Sequence, residues 1–305
     1  MQEILEKIQQ RTGIDLVSVL AEELSGSELN SLLLEVFDRK AGQLKPAQLL
    51  QQYRMNRFVQ PAAVDVMQLR AKELSTLQWL QQCGFVPLEL SPVSLLGICA
   101  AVAPVSQKKI ISATRGTEVL SDATNAIALH IADQKKKKKK GDVDLLKYCT
   151  THRHVRTPPV KVKGHSPHFT IACFVSAGMD TGSLAFETHA IREHFLALQA
   201  VLMQVFQIEI QYFKLQPRAG YKQGYQLADR IFNEIRNNFP VVVDKAAAPN
   251  DYYQGIQYKA VINVHGEEIE IADGGFVNWT QQLLENKKER CFISGLGIDY
   301  LSQIM

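Results

Sequence analysis

Between residues 251 and 301 the chain reads DYYQGIQYKAVI, IADGGFVNW and CFISGLGIDYL. Tyr252 and Tyr253 precede one alternating run, Gly274 and Gly275 follow its return, and Gly295, Gly297 and Asp299 close the last one. Paired or alternate glycines let backbone approach a ligand or another backbone where a Cβ would collide. Tyrosine and phenylalanine rings can floor a planar ligand, and here Tyr252, Tyr253, Phe169 and Phe276 are the candidates, with ordinary core residues as the competing role. Asp273 and Asp299 can hold an amine or an arginine, or order a turn through their own backbone bonds. Adjacent strand residues point to opposite faces, so the spacing expects at most one of the two tyrosines to face a pocket.

A second group lies upstream. Arg153 is followed across a turn-rich stretch by His168 and Phe169. His152 and His154 share one strand face, and the return strand can bring His168 opposite, but no cysteine or carboxylate completes a zinc set with them or with His165. The site assignment therefore carries no metal. Arg115, Glu118, Asp122 and Asn125 surround a turn that runs into a helix, where carboxylates serve as caps or as ligand contacts.

These residues need elements to position them. Residues 1–82 repeat apolar positions at three and four residues and read as helices, an N-terminal extension. Pro46 suits a helix first turn and Gly42 a helix end. Residues 83–305 mix hairpins with helices, which gives an α+β class with a mostly antiparallel sheet flanked by helices. The strands expected are 109–113, the arms LLKYCTTHRHVR and HFTIACFVSAG, IEIQYFKL, the arms YKAVINV and EIEIAD, and CFISG. FETHAIREHFLALQAVLMQVF is the longest helix expected. Residues 134–142, with six lysines at 135–140, read as a solvated, flexible loop because like charges repel.

The 305 residues are 46% hydrophobic and 21% charged, which excludes wholesale disorder. The net charge of +3 rests on the lysine run: removing those six from the 34 basic residues leaves 28 against 31 acidic. The body is not a basic nucleic-acid binder. Five widely spaced cysteines without CxxC fit reduced thiols. No signal-peptide h-region and no apolar run near the about 20 residues of a bilayer span occur. The expectation is a cytoplasmic protein without a membrane partner.

Taken in order, these motifs resemble the class II aminoacyl-tRNA synthetase core, in particular histidyl-tRNA synthetase and the regulatory subunit of ATP phosphoribosyltransferase. DYYQG resembles RGLDYYTG, GGFVN stands for GGRYD, and GLGIDY for the GxGxER of motif 3. HRHVR…HFTIACF resembles motif 2, FRYER…QFHQLGCE, and SATRGTEVL resembles LRPEGT. The resemblance implies that Arg153 contacts the ATP α-phosphate, that Phe169 stacks under adenine and that Arg115, Glu118, His168, Tyr252, Tyr253, Gly274, Gly275, Gly295, Gly297 and Asp299 belong to the ligand site. It implies ATP and Mg as cofactors if the chemistry survives, and a homodimer through the motif 1 region at 84–89.

The departures matter as much. The catalytic arginine of RGLDYYTG is Ala248, the adenine-reading glutamate is Val155, the motif 3 arginine is Tyr300, and polar motif 2 positions are Ile171 and Val175. Two arginines are missing, and each such charge is worth about 10²–10³ in rate. Arg115, Arg156, Lys161 or Lys163 would have to substitute. No anticodon-binding domain follows motif 3, so tRNA is not an expected partner. The reading is a degenerate paralogue that does not charge tRNA and binds a small metabolite or nucleotide, in a regulatory or ligand-binding role, with no catalytic residue assigned. The alternative is an ATP-dependent ligase that makes an acyl-adenylate of another carboxylate. A third is RNA binding through the lysine run.

Overall fold

In the computed structural model the described residues are 1–137, 144–159, 166–221 and 224–304, the last beginning with three whose backbone alone is described. Helices α1 (Gln2–Thr12), α2 (Leu16–Ser18), α3 (Gly26–Gly42) and α4 (Pro46–Met55) lead the chain and contain no buried residue. Ser25 and Glu28 form a capping box that starts α3, and Pro46 stands in the first turn of α4. α5 (Val66–Gln82) differs: its Leu69 and Leu80 belong to the main core, so the last helix of the expected extension is bound into the body.

Strands β1 (Val86–Pro87), β4 (Leu146–Val155), β5 (His168–Met179), β6 (Tyr212–Pro217), β7 (Val241–Val243), β8 (Gln254–Val264), β9 (Glu267–Val277) and β10 (Glu289–Gly297) form one sheet in the order β1-β4-β5-β10-β9-β8-β6-β7. β2 (Val93–Leu95) and β3 (Thr117–Val119) pair apart from it. Every neighbour pair in the large sheet is antiparallel except β1 with β4 and β6 with β7. The class read from the sequence, α+β with a mostly antiparallel sheet flanked by helices, is the one found.

The remaining helices are α6 (Ile98–Ala101), α7 (Ala123–Lys137), α8 (Ala185–Phe206), α9 (Gly224–Ile235), α10 (Trp279–Leu284) and α11 (Ile298–Ile304). One sheet face packs on α5, α8, α9 and α11 through Phe174, Phe195, Phe213, Tyr258 and Phe292. The other packs on α7 and α10 through Cys173, Val175, Ile293, Ile127 and Trp279. Covering on both faces explains why the middle strands are nearly continuous apolar runs.

The two hairpins fall where the alternation placed them. β8 and β9 are joined by His265 and Gly266 at φ 52° and 89°, the left-handed pair that a two-residue turn requires. Three local expectations fail. Residues 107–109 form a 3-10 turn, and only Ser112 of the expected strand 109–113 bridges. Residues 208–211 precede β6 rather than belonging to it. The chain stays helical through Lys137, where a loop from 134 was expected; the Lys135 side chain is 6% exposed and its Nζ donates to Glu289 at 2.6 Å. An ion pair removes the repulsion argument at that position. Residues 138–142, Lys161, Lys163 and His165 lie outside the described residues.

Candidate functional site

Beyond the N-terminus of α7 the sheet face is uncovered, and a cavity of about 950 Å³ opens over β5, β9 and β10. Its floor includes Phe169, Ile171, Cys173, Ile293, Gly295 and Asp273. Its walls carry Asp122, His154, Arg156, Tyr252 and Tyr253.

Strand register decides which of these side chains can meet a ligand. Directly paired residues of antiparallel strands share a face. His154 pairs with Phe169 and His152 with Ile171, on the cavity face; Arg153 pairs with Thr170, on the face that carries Phe174 and the helices. Arg153, expected at the phosphate, therefore points away from the cavity floor. It is held by His168, Thr170 and Asp299: Nε donates to His168 Nδ1 at 2.9 Å, and Nη2 lies 3.3 Å from Asp299. His168 faces the same way, its Nε2 donating to the Gln60 carbonyl at 2.7 Å. His152, His154 and His168 consequently do not converge. Of the two motif 2 positions, Phe169 thus faces the cavity and Arg153 stands on the opposite face of its strand.

The other expected residues divide. Phe169, Tyr252, Tyr253, Gly295, Gly297 and Asp299 line the cavity or its rim. Arg115 is exposed in a left-handed turn at φ 62° and does not line it. Glu118 is buried and accepts from the Gly97 N–H and Gln107 Nε2 at 2.8 and 3.0 Å, so it ties loops together instead. Gly274 and Gly275 act on their neighbours. A Cβ on Gly274 would lie 2.2 Å from the Ile293 carbonyl and 2.6 Å from the Tyr258 ring; one on Gly275 would lie 2.8 Å from the Tyr253 ring. The glycine pair seats one tyrosine on each side of the sheet. Phe276 belongs to the core, not to the cavity.

Both Tyr252 and Tyr253 reach the cavity, against the alternation rule, because they lie in the turn before β8 and not in the strand. The Tyr252 hydroxyl donates to Asp122 and the Tyr253 hydroxyl to Asp273, the latter at 3.2 Å.

Asp122 also accepts from the Thr124 N–H and hydroxyl at 2.9 and 2.6 Å, as the cap of α7. Burial pushes its carboxyl up, but these bonds, the Tyr252 hydroxyl and the nearby Arg156 outweigh it and hold the pKa below the usual value. Asp273 is the opposite case. Enclosure by protein, with Asp122 adding to it, raises its pKa despite the Tyr253 bond and Arg156. Yet its side chain is open to solvent within the cavity.

His154 accepts from the Ala123 N–H through Nε2 at 3.2 Å, which leaves its proton on Nδ1. Nδ1 has no hydrogen-bond partner among the described residues. Burial, against the pull of Asp122, holds this imidazole well below its usual pKa, so it is a neutral donor. Arg156 is exposed, with its guanidinium 5.5 Å from the Phe169 ring centroid. Among the described residues the lining thus carries the carboxylates Asp122, Glu270, Asp273 and Asp299, three tyrosines, a neutral histidine, and the cations Lys109, Arg156 and Lys259.

Sequence reasoning weighed Asp122 and Asp273 without committing to them, and missed Lys109 and Lys259, which line the cavity, and Arg218, which lines a smaller pocket beside it. Asp273 before Gly-Gly was the usable signal. Nothing local distinguishes Arg218.

Comparison with known proteins shows the same architecture. An ATP phosphoribosyltransferase regulatory subunit/histidyl-tRNA synthetase from Bacillus halodurans superposes with TM-score 0.59 at 10% identity, over 82% of each chain. A histidyl-tRNA synthetase from S. aureus gives 0.55 at 11%, over 77% of this chain and 66% of that one. A putative threonyl-tRNA synthetase from Aeropyrum pernix gives 0.62 at 12%, over 77% and 59%. The fold is the class II synthetase-like core. No family model matches the sequence, and no curated protein matches it.

Proposed function

We propose that the chain is a class II synthetase-like paralogue that binds a small amine-bearing metabolite and neither activates an amino acid nor charges tRNA. The observation that carries this reading is Asp273: a carboxylate open to the cavity, with Tyr253 as its one side-chain hydrogen-bond partner among the described residues. A carboxylate with spare acceptor capacity gains a charge-assisted hydrogen bond from a cation that arrives with the ligand. Tyr253, the Tyr252–Asp122 pair and the His154 Nδ1–H supply the directional contacts. Arg153 does not line the cavity and is committed to Asp299 at its rim, which supports the loss of the triphosphate grip.

Thermal shift with primary amines, including amino acids, against ATP with Mg is the test. Ligand at a hundredfold excess over Kd stabilises by about 2.7 kcal/mol. An amine is expected to shift the wild type and not Asp273→Asn; a shift by ATP alone contradicts the reading.

One observation favours a second reading, a carboxylate-activating ligase. Arg156 lines the cavity beside Phe169 and has no carboxylate within salt-bridge distance among the described residues. Pyrophosphate exchange that requires Arg156 would support it. Val86, Leu95 and Leu96, exposed near the sheet edge at β1 and β2, support a homodimer, which light scattering checks.

A further inference from the structure

Next to the main cavity, and sharing Val105, Lys109, Asn250, Tyr252 and Lys259 with it, is a side pocket of about 580 Å³. Arg218 lies against it and is only 9% exposed. We propose that this side pocket is an oxyanion subsite, in which Arg218 receives a carboxylate or phosphate group carried by the ligand whose amine meets Asp273.

The guanidinium is built into place. The Arg218 N–H donates to the Gly255 carbonyl at 2.7 Å, and the Gly255 N–H to the Ala219 carbonyl at 2.6 Å. Gly255 is at φ 66° in the irregular start of β8, a conformation that fixes the end of β6 against it. From there Nε and Nη2 donate to Gln257 Oε1 at 3.1 and 2.7 Å, Nη2 also to Gln216 Oε1 at 2.9 Å, and Nη1 to the Ala248 carbonyl at 2.8 Å. Every acceptor is neutral. No carboxylate lies within salt-bridge distance among the described residues, and Asp244 reaches Arg218 only through Gln216, at 3.0 Å from Nε2.

A buried charge without a counter-charge is costly, and burial lowers the pKa of this group, Asp244 and Tyr253 opposing it. Amides orient the fork without neutralising it, and one Nη1 hydrogen is left over. Lys109 and Lys259 also line the pocket, Lys259 paired with Glu270, and Asp251 is the one carboxylate among the described lining residues. The spare Nη1 hydrogen can make a single charge-assisted bond to a planar or tetrahedral oxyanion.

The inference rests on the amine reading for the rest of the ligand, but its test does not. Sodium phosphate and sodium acetate are titrated against the full chain in a thermal-shift assay, with sodium chloride at equal ionic strength as the reference. A midpoint rise of about 3 °C at tenfold excess over Kd is expected for the oxyanion class the pocket takes, and the two arms tell phosphate from carboxylate. The affinity is expected to fall at least tenfold in Arg218→Gln and to be unchanged in Arg39→Gln, which removes a charge from exposed helix α3. No rise beyond chloride, or a rise that survives Arg218→Gln, overturns the subsite. Where Arg218→Gln does not fold, Lys109→Gln with Lys259→Gln replaces it: unchanged oxyanion affinity overturns the proposal, and a several-fold loss supports it. A failed amine assay alongside an Arg218-dependent oxyanion response removes the amine reading alone.

Discussion

Asp273 and Arg153 illustrate two opposite uses of a charged side chain. Asp273 leaves acceptor capacity open to the cavity. On the proposed reading, Asp273→Asn is expected to lower amine affinity by about 10–150-fold, the worth of a charged hydrogen bond, with little change in the stability of the ligand-free protein. Calorimetric titration and unfolding of the same variant check both halves. Arg153 neutralises Asp299, whose side chain is 5% exposed. Arg153→Met leaves that carboxylate buried without its partner and is expected to cost about 3–5 kcal/mol of stability, discounted because the arginine itself is a third exposed. Ligand affinity should hardly change. Arg156→Met should do the reverse, leaving chemical denaturation near that of the wild type and changing ligand binding.

At the scale of elements, strand pairing governs what a sequence pattern can reveal. Alternation located the hairpins β4–β5 and β8–β9, because two-sided burial and a His-Gly turn leave strong local marks. The same alternation could not say which face of β4 looks into the cavity: that follows from the register with β5, a long-range fact. The motif resemblance therefore chose Arg153 where His154 and Arg156 face the site. Tyr252 and Tyr253 were misjudged for a related reason, since the strand begins only at Gln254. The Gly274–Gly275 step was legible as a close approach, though its neighbours proved to be Tyr258, Tyr253 and backbone carbonyls rather than a ligand. Gly274→Ala is expected to destabilise by about 1–3 kcal/mol or more through forced overlap with the Ile293 carbonyl. Gly297→Ala, whose Cβ would meet nothing nearer than 3.7 Å, is expected to be far milder. Urea unfolding of the two variants compares them directly.

For the whole molecule, the sheet separates the larger core from the face that carries the cavity, and each hides a histidine that stays neutral. His194 is fully buried among Phe85, Phe174 and Phe292, its ring nitrogens bonded to Ser294 and Ser176 at 2.6 and 2.9 Å. Burial drives its pKa, like that of His154, well down. A base whose folded pKa is depressed binds its proton more readily in the unfolded chain. Both histidines thus contribute stability present above an unfolded pKa of about 6.5 and lost as pH falls below it. Denaturant midpoints are expected to decline between about pH 6.5 and 5, before carboxylate titration sets in. His194→Gln should flatten that slope. A pH-independent midpoint across this window contradicts the assignment of two neutral buried imidazoles.

A crystal structure of the protein soaked with ATP, Mg and an amino-acid mixture tests the central claim at the level of atoms. The account predicts an ammonium group against Asp273, with Arg153 still bonded to Asp299 and no triphosphate ordered on the cavity face. A triphosphate seated over Phe169, with Arg153 or Arg156 at its α-phosphate, would contradict it.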